Sequence, residues 1–211
     1  MSDRTEAPRR LSGQVVIATH NPGKLREMAE LLAPYGATAV SAGALGLPEP
    51  DETGTLFAEN AAIKAHAAAR GCGLPALADD SGLSVAALGG APGVHSAYYA
   101  GREGDRETRD ARNNEKLLRE LKDDRNAFYS CVMVLVRTAE DPQPLVAEGI
   151  WRGEIARAPR GANGFGYDPL FFVPALKKTA AELDADQKNR ISHRGIALQK
   201  LLGLLRDSGH R

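Results

Sequence analysis

The chain has 211 residues, 43% of them apolar, which suits one ordinary domain with a substantial core and argues against a disordered or fibrous polypeptide. Its 27 Lys and Arg balance 27 Asp and Glu, so no global positive field exists to hold a polynucleotide, whereas a small anionic ligand is compatible. Cys72 and Cys131 lack CxxC or metal-ligand spacing and sit beside apolar residues, as free thiols of a reducing cytoplasm do, and the apolar runs are far too short to span a membrane.

Residues 1–12 carry Arg4, Arg9 and Arg10 with no apolar stretch behind them and read as a flexible N-terminal extension. Residues 14–19 are a β-branched run ending in polar residues, the pattern of a buried strand. Pro22 and Gly23 then open a helix over 24–33, where Leu25, Met28, Leu31 and Leu32 recur at helical spacing. A second strand is expected over 37–41 and a Gly- and Pro-rich loop over 43–53. Thr55 is the expected N-cap of an alanine-rich helix reaching Arg70, with Gly71 at its C′ position.

Residues 74–78 and 83–87 read as short strands on either side of an acidic turn, Asp79-Asp80-Ser81-Gly82, and 89–101 as an ordered loop. Leu117, Leu118 and Leu121 give a helix over 108–121 its apolar stripe. Strands over 127–137 and 145–152 have a short connection and should pair antiparallel. A strand over 170–173 precedes an amphipathic helix over 192–205, capped by Ser192. Helices and strands alternate and a hairpin then intrudes, which predicts an α/β fold with a mixed sheet.

An apolar run that delivers two adjacent carboxylates puts charge at the end of a buried strand, where desolvation is costly unless a metal or another cation offsets it. Asp, Ser and Gly are also the residues of an ordinary turn, so Asp79 and Asp80 gain meaning from their company. Glu52 and this pair are oxygen ligands of the kind magnesium takes, one or two carboxylates with water and substrate phosphate completing the shell. A carboxylate not fully engaged by metal can accept a proton from water. Thr19-His20-Asn21-Pro22-Gly23-Lys24 sits where a strand gives way to a helix, a place where N–H groups and a lysine bind phosphate. It lacks the first glycine and the final Ser or Thr of a Walker A loop.

Lys64 lies one turn beyond Asn60, so one helix face offers an amide and an ammonium, although an exposed lysine is the commoner arrangement. Gly164-Phe165-Gly166-Tyr167-Asp168-Pro169 sets a ring between glycines, which suits stacking on a flat ligand. Ser192-His193-Arg194 offers donors to ring carbonyls at a helix start. Arg102, Arg106, Arg109 and Arg112 interleave with Glu103, Asp105, Glu107 and Asp110, which reads as a solvated helix face rather than a nucleic-acid surface.

Five ordered blocks, at 18–24, 52–65, 78–101, 164–172 and 179–183 with 188–195, closely resemble the inosine triphosphate pyrophosphatase family, the dITP/XTP diphosphatases. The resemblance covers 15–205. It implies an elongated two-lobed α/β fold around a mixed sheet, with the active cleft between lobes and residues 13–211 as one catalytic domain. It also implies Mg2+-dependent hydrolysis of ITP, dITP and XTP to the monophosphate and pyrophosphate by a homodimer. Carried over by position, 19–24 would hold the triphosphate, with Lys24 and Lys64 at the phosphates. Asp80 would accept the proton and touch the metal, Glu52 would share it, and Asp79 would lie close by. Ser81, Phe165, Gly166, Tyr167, Asp168, Lys188, His193 and Arg194 would line the nucleotide pocket. Tyr98 stands where many relatives have arginine, so no charge from that loop is carried over. A Maf-type pyrophosphatase of different base specificity and a non-catalytic nucleotide sensor are the alternatives.

Overall fold

Alternation of side chains along the strands sorts most of the core onto two faces of one sheet. The computed structural model describes residues 13–207, so the expectation for 1–12 lies outside the described residues. In chain order the first elements are β1 (Gly13–Ile17), α1 (Pro22–Leu32), β2 (Ala37–Ser41), α2 (Phe57–Cys72) and β3 (Ala76–Val85). They are followed by α3 (Arg106–Glu120), β4 (Asn126–Val136), β5 (Leu145–Ile155), β6 (Phe171–Val173), β7 (Lys178–Thr179), α4 (Ala185–Ile191) and α5 (His193–Asp207). Among the described residues the strands form one sheet in the order β2-β1-β3-β4-β5-β6-β7. β1 pairs in parallel with β2 and β3, and every later neighbour is antiparallel, which makes the sheet mixed as expected.

Val15 and Ile17 of β1 join Met28 and Leu32 of α1 and Leu198 and Leu201 of α5 on one face. Val16, between them, joins Ala61, Ala65 and Ala69 of α2 on the other, as a side-chain period of two requires. A third cluster gathers Leu83, Leu117, Tyr129, Trp151, Tyr167 and Phe171 around the far halves of β3, β4 and β5. No described helix is long and apolar enough to cross a membrane.

The acidic segment is not a turn. β3 runs unbroken through Asp79, Asp80, Ser81 and Gly82, because β4 pairs with every residue from Ala76 to Val85. A continuous partner strand overrides the turn preference of these residue types. Gly82 marks close packing instead: a Cβ there would collide with the Gly93 carbonyl oxygen and the Ser96 hydroxyl of the 3₁₀ helix Gly93–Tyr98 that crosses it. α2 also starts later than expected, at Phe57, because the Glu59 carboxylate reaches back to the N–H groups of Thr55 and Leu56 at 2.7 and 3.1 Å. Gly73, not Gly71, holds its C-terminal cap. α4 was not foreseen as a helix.

β1 leaves β3 early. Their register holds at Val16–Ala76 and Ile17–Leu77, and the next strand-edge contact on that side of β3 comes from Ser96, at Leu83. Between these points the Asp80–Gly82 stretch borders a cavity.

Candidate active site

Because successive strand residues point to opposite faces, the neighbouring carboxylates of Asp79 and Asp80 serve different partners. Asp80 turns toward α2, where Oδ1 lies 3.1 Å from the Lys64 ammonium and Oδ2 accepts from the Asn60 amide at 3.2 Å. Lys64 also meets Glu52 at 2.7 Å, so carboxylates from a loop and a strand converge on one cation. The Asn60–Lys64 face is thereby occupied as the one-turn spacing predicted. Asp79 turns toward α1 and α5: its Oδ2 lies 3.1 Å from the Lys24 ammonium and 3.1 Å from Arg194 Nη2, and accepts from the Ser81 hydroxyl at 3.1 Å. Asp79 is 1% exposed, its Oδ1 has no partner, and it is not brought to the Glu52–Asp80 pair.

The two carboxyls titrate in opposite directions. Burial pushes Asp80 up from the ordinary value, outweighing Lys64 and Lys24, and the nearby Glu52 charge adds to the rise. Burial would raise Asp79 as well, but Lys24, Arg194 and Lys64 together hold it far below the usual carboxylate range. Burial opposes the Lys64 charge, yet Asp80, Asp79 and Glu52 raise its pKa.

At the head of α1, Asn21 is the N-cap, and its Oδ1 accepts from the N–H groups of Gly23 and Lys24 at 2.9 and 3.2 Å. Pro22 at N1 has no N–H to give. Two donors expected for a phosphate are therefore already used, and the cavity meets this turn through Thr19, His20, Asn21 and the Lys24 ammonium. Gly23 faces elsewhere: a Cβ there would sit 2.6 Å from the Phe165 ring, so the ring packs directly on the turn's backbone.

The opposite end is built from Lys188, Asp168, His193, Arg194 and Phe165. Lys188 pairs with Asp168 at 2.6 Å and with Glu27 at 2.7 Å, and Arg194 pairs with both Glu27 and Asp79. Alternating charges thus run Lys24, Asp79, Arg194, Glu27, Lys188, Asp168 beneath the cavity. Glu27 was not singled out from the sequence, although its place three residues after Lys24 puts it on the same face of α1. Burial and its neighbours Arg194 and Lys188 push His193 well below the usual histidine value, so the ring is neutral near neutral pH. It stacks on Tyr129 with centroids 4.6 Å apart and planes at 11°, and its Nδ1 has no partner. Lys188 and Arg106 each lie 4.9 Å from the centre of the Phe165 ring.

Thr19, His20, Asn21, Lys24, Glu52, Lys64, Asp80, Ser81, Phe165, Gly166, Tyr167, Asp168, Lys188, His193 and Arg194 all line one cavity. Pro22, Gly23 and Asp79 do not. Glu49, Val94, Tyr129, Arg106, Arg109 and Asp110 also line it, and no motif marks them for that role. Among the described residues no three His, Cys, Asp or Glu side chains gather as a closed metal cage. Glu52 and Asp80, whose carboxylates meet at the Lys64 ammonium, are oxygen donors of the kind an open magnesium site uses, with water and phosphate completing the shell.

The profile of the Ham1 family matches residues 15–204. The chain belongs to the Ham1 family. It is 56% identical over 201 residues to the dITP/XTP pyrophosphatase of Burkholderia pseudomallei, covering 94% of this chain and 96% of that one. It is 54% identical over 199 residues to the dITP/XTP pyrophosphatase of Yersinia pseudotuberculosis, with 92% and 99% covered. The solved structure of a HAM1 protein from Coxiella burnetii superposes with a TM-score of 0.82 at 49% identity, covering 92% of this chain and 98% of its own. The Staphylococcus aureus Ham1 protein superposes with a TM-score of 0.78 at 39% identity, with 94% and 100% covered. The Ham1 match therefore runs from within β1 to within α5 and takes in both ends of the cavity.

Proposed function

We propose that this Ham1 chain hydrolyses dITP, ITP and XTP to the nucleoside monophosphate and pyrophosphate. The observation that carries the reading is the convergence of Glu52 and Asp80 on the Lys64 ammonium in a cavity that also holds Lys24 and, across it, Phe165, Lys188 and Arg194. Membership of the Ham1 family and relatives named dITP/XTP pyrophosphatase support it. Residues 13–211 then act as one two-lobed catalytic domain. A homodimer, implied by the sequence resemblance, and a cytoplasmic setting, in keeping with the free thiols Cys72 and Cys131, belong to the same reading.

In this mechanism Asp80 accepts the proton of the water that attacks the α-phosphorus, and the bond from that phosphorus to the β-bridging oxygen breaks. Burial, by raising the Asp80 carboxyl, makes it a better proton acceptor than an exposed aspartate. Lys24 and Lys64 take up charge that develops on the departing pyrophosphate. Glu52 and Asp80 would hold magnesium, which supplies Lewis-acid polarisation of phosphate oxygens when bound. At the other end, Arg194 and Lys188 present donors to a 6-oxo group. An adenine amino group would leave a buried donor unpaired at a cost of about 1–3 kcal/mol, and sites built this way discriminate by ~10⁴ or more.

Pyrophosphate release is to be measured for dITP, XTP, GTP and ATP, with and without magnesium. Release from dITP and XTP far above ATP, dependent on magnesium, is expected, and Asp80→Asn should lower kcat by ~10²–10³ with the fold intact. Equal rates on all four nucleotides, or triphosphate bound and never cleaved, would overturn the reading.

A further inference from the structure

The face of α3 that carries Arg106, Asp110 and Asn114 is not simply solvated. These residues stand at i, i+4 and i+8, one above another on the helix. Arg106 covers the Phe165 ring at 4.9 Å, the Asp110 carboxylate accepts the Gly166 N–H at 3.0 Å, and the Asn114 amide donates to the Gly166 carbonyl at 3.0 Å. Both backbone polar groups of Gly166 are therefore held by one helix. The adjacent Asn113 treats the facing wall in the same way: it accepts from the Ala100 N–H at 2.8 Å and donates to the Ser96 and Ala97 carbonyls at 3.2 and 3.3 Å. The Tyr167 hydroxyl then donates to the Ser96 carbonyl at 2.8 Å and ties the two walls together.

We infer that Asp110 and Asn114 are positioning residues that fix the Phe165 ring for stacking on the substrate's base. The inference rests on the function proposed above. A ring flanked by two glycines has a floppy backbone of its own, and stacking selects only one orientation of the ring. Grasping Gly166 on both sides spends the ordering entropy during folding rather than during binding. Arg106, over the ring, is then part of the same clasp, and the charge pattern of α3 has an inward purpose on this face.

The test separates the base end from the phosphate end by ligand. Calorimetric affinities of IMP, which carries the base, and of inorganic pyrophosphate, which does not, are compared for the wild-type chain, Asp110→Ala, Asn114→Ala, Phe165→Ala and the Asp110→Ala/Phe165→Ala double variant. IMP affinity should fall about three- to tenfold in Asp110→Ala and Asn114→Ala, the range for one lost hydrogen bond, while pyrophosphate affinity holds. In the Phe165→Ala background, Asp110→Ala should bring no further loss of IMP affinity, because the group it positions is gone. Equal weakening of both ligands, additive losses in the double variant, or unchanged IMP affinity in both single variants would overturn the inference. Asp110 and Asn114 are replaced separately and checked by thermal melting, so one folded variant suffices. Failure of the proposed function is read apart from this, as absence of pyrophosphate release by the wild-type chain.

Discussion

Asp79 concentrates two cations on one oxygen and leaves the other oxygen bare, an arrangement that exists because it sits on the opposite face of β3 from its neighbour. Its work is to neutralise Lys24 and Arg194 from a buried position behind the cavity wall. Asp79→Asn strands that positive charge, and the loss should be about 3–5 kcal/mol of folding stability, measured by urea unfolding. Asp80→Asn removes a charge that burial already disfavours, so the same measurement should show a much smaller loss while turnover collapses. A reversed ranking of the two variants in stability would contradict this division of labour. The sequence made both carboxylates conspicuous, yet it could not say which met which cation. That depended on whether 79–82 was a turn or a strand, and a partner strand some fifty residues away decided it. Glu27 escaped notice for a related reason: one acidic residue on a charged helix looks like any other until Lys188 and Arg194 arrive from the far end of the chain.

Local pattern reported the longer elements well. The apolar spacing of 24–33 and the short connection between β4 and β5 each specified the right element and, for the hairpin, the right pairing. α4 was illegible because seven residues carry too little periodicity to stand out. The β4–β5 connection is itself organised by Asp141, whose carboxylate accepts from the Arg137 N–H and Nε, each at 2.9 Å, and from the Gln143 N–H at 3.0 Å. The Arg137 hydrogen bond, helped by these backbone donors against the effect of burial, brings the Asp141 carboxyl down to about 2. A carboxyl depressed by folding contributes stability that is complete above its unfolded value of about 3.9 and disappears as pH falls through its folded value. Asp141→Asn should therefore lower the melting temperature by a constant amount above about pH 5, and the difference should shrink between pH 4 and pH 2. A difference that persists unchanged into acid would mean that the charge of Asp141 does not matter. Because Arg137 is more than half exposed, added salt should reduce the effect.

The cavity belongs to no single element. Lys188 and Glu27 are 161 positions apart, and the site draws on the β1–α1 connection, α1, α2, β3, the Gly93–Tyr98 3₁₀ helix, α3, β4, the 164–169 loop, α4 and α5. The motifs were legible as fragments, but their assembly around one space was a property of the sheet order. A nucleotide that touches so many separate segments should act as a strut. At about 100 times its Kd, IMP should add roughly 2.7 kcal/mol of stability, a rise of roughly 5–10 °C in Tm for a chain of this size. At the same concentration the rise should shrink markedly in Phe165→Ala, and an identical shift in that variant would show that IMP binds elsewhere. β1 parts early from β3. The opening is an unzipped seam, not a hollow carved in the hydrophobic interior, so its width is set by where β1 stops and where the Gly93–Tyr98 helix begins. Trimming either of those two margins would widen the opening and leave the aliphatic packing untouched, whereas two further rungs between β1 and β3 would stitch the seam shut in an otherwise intact fold.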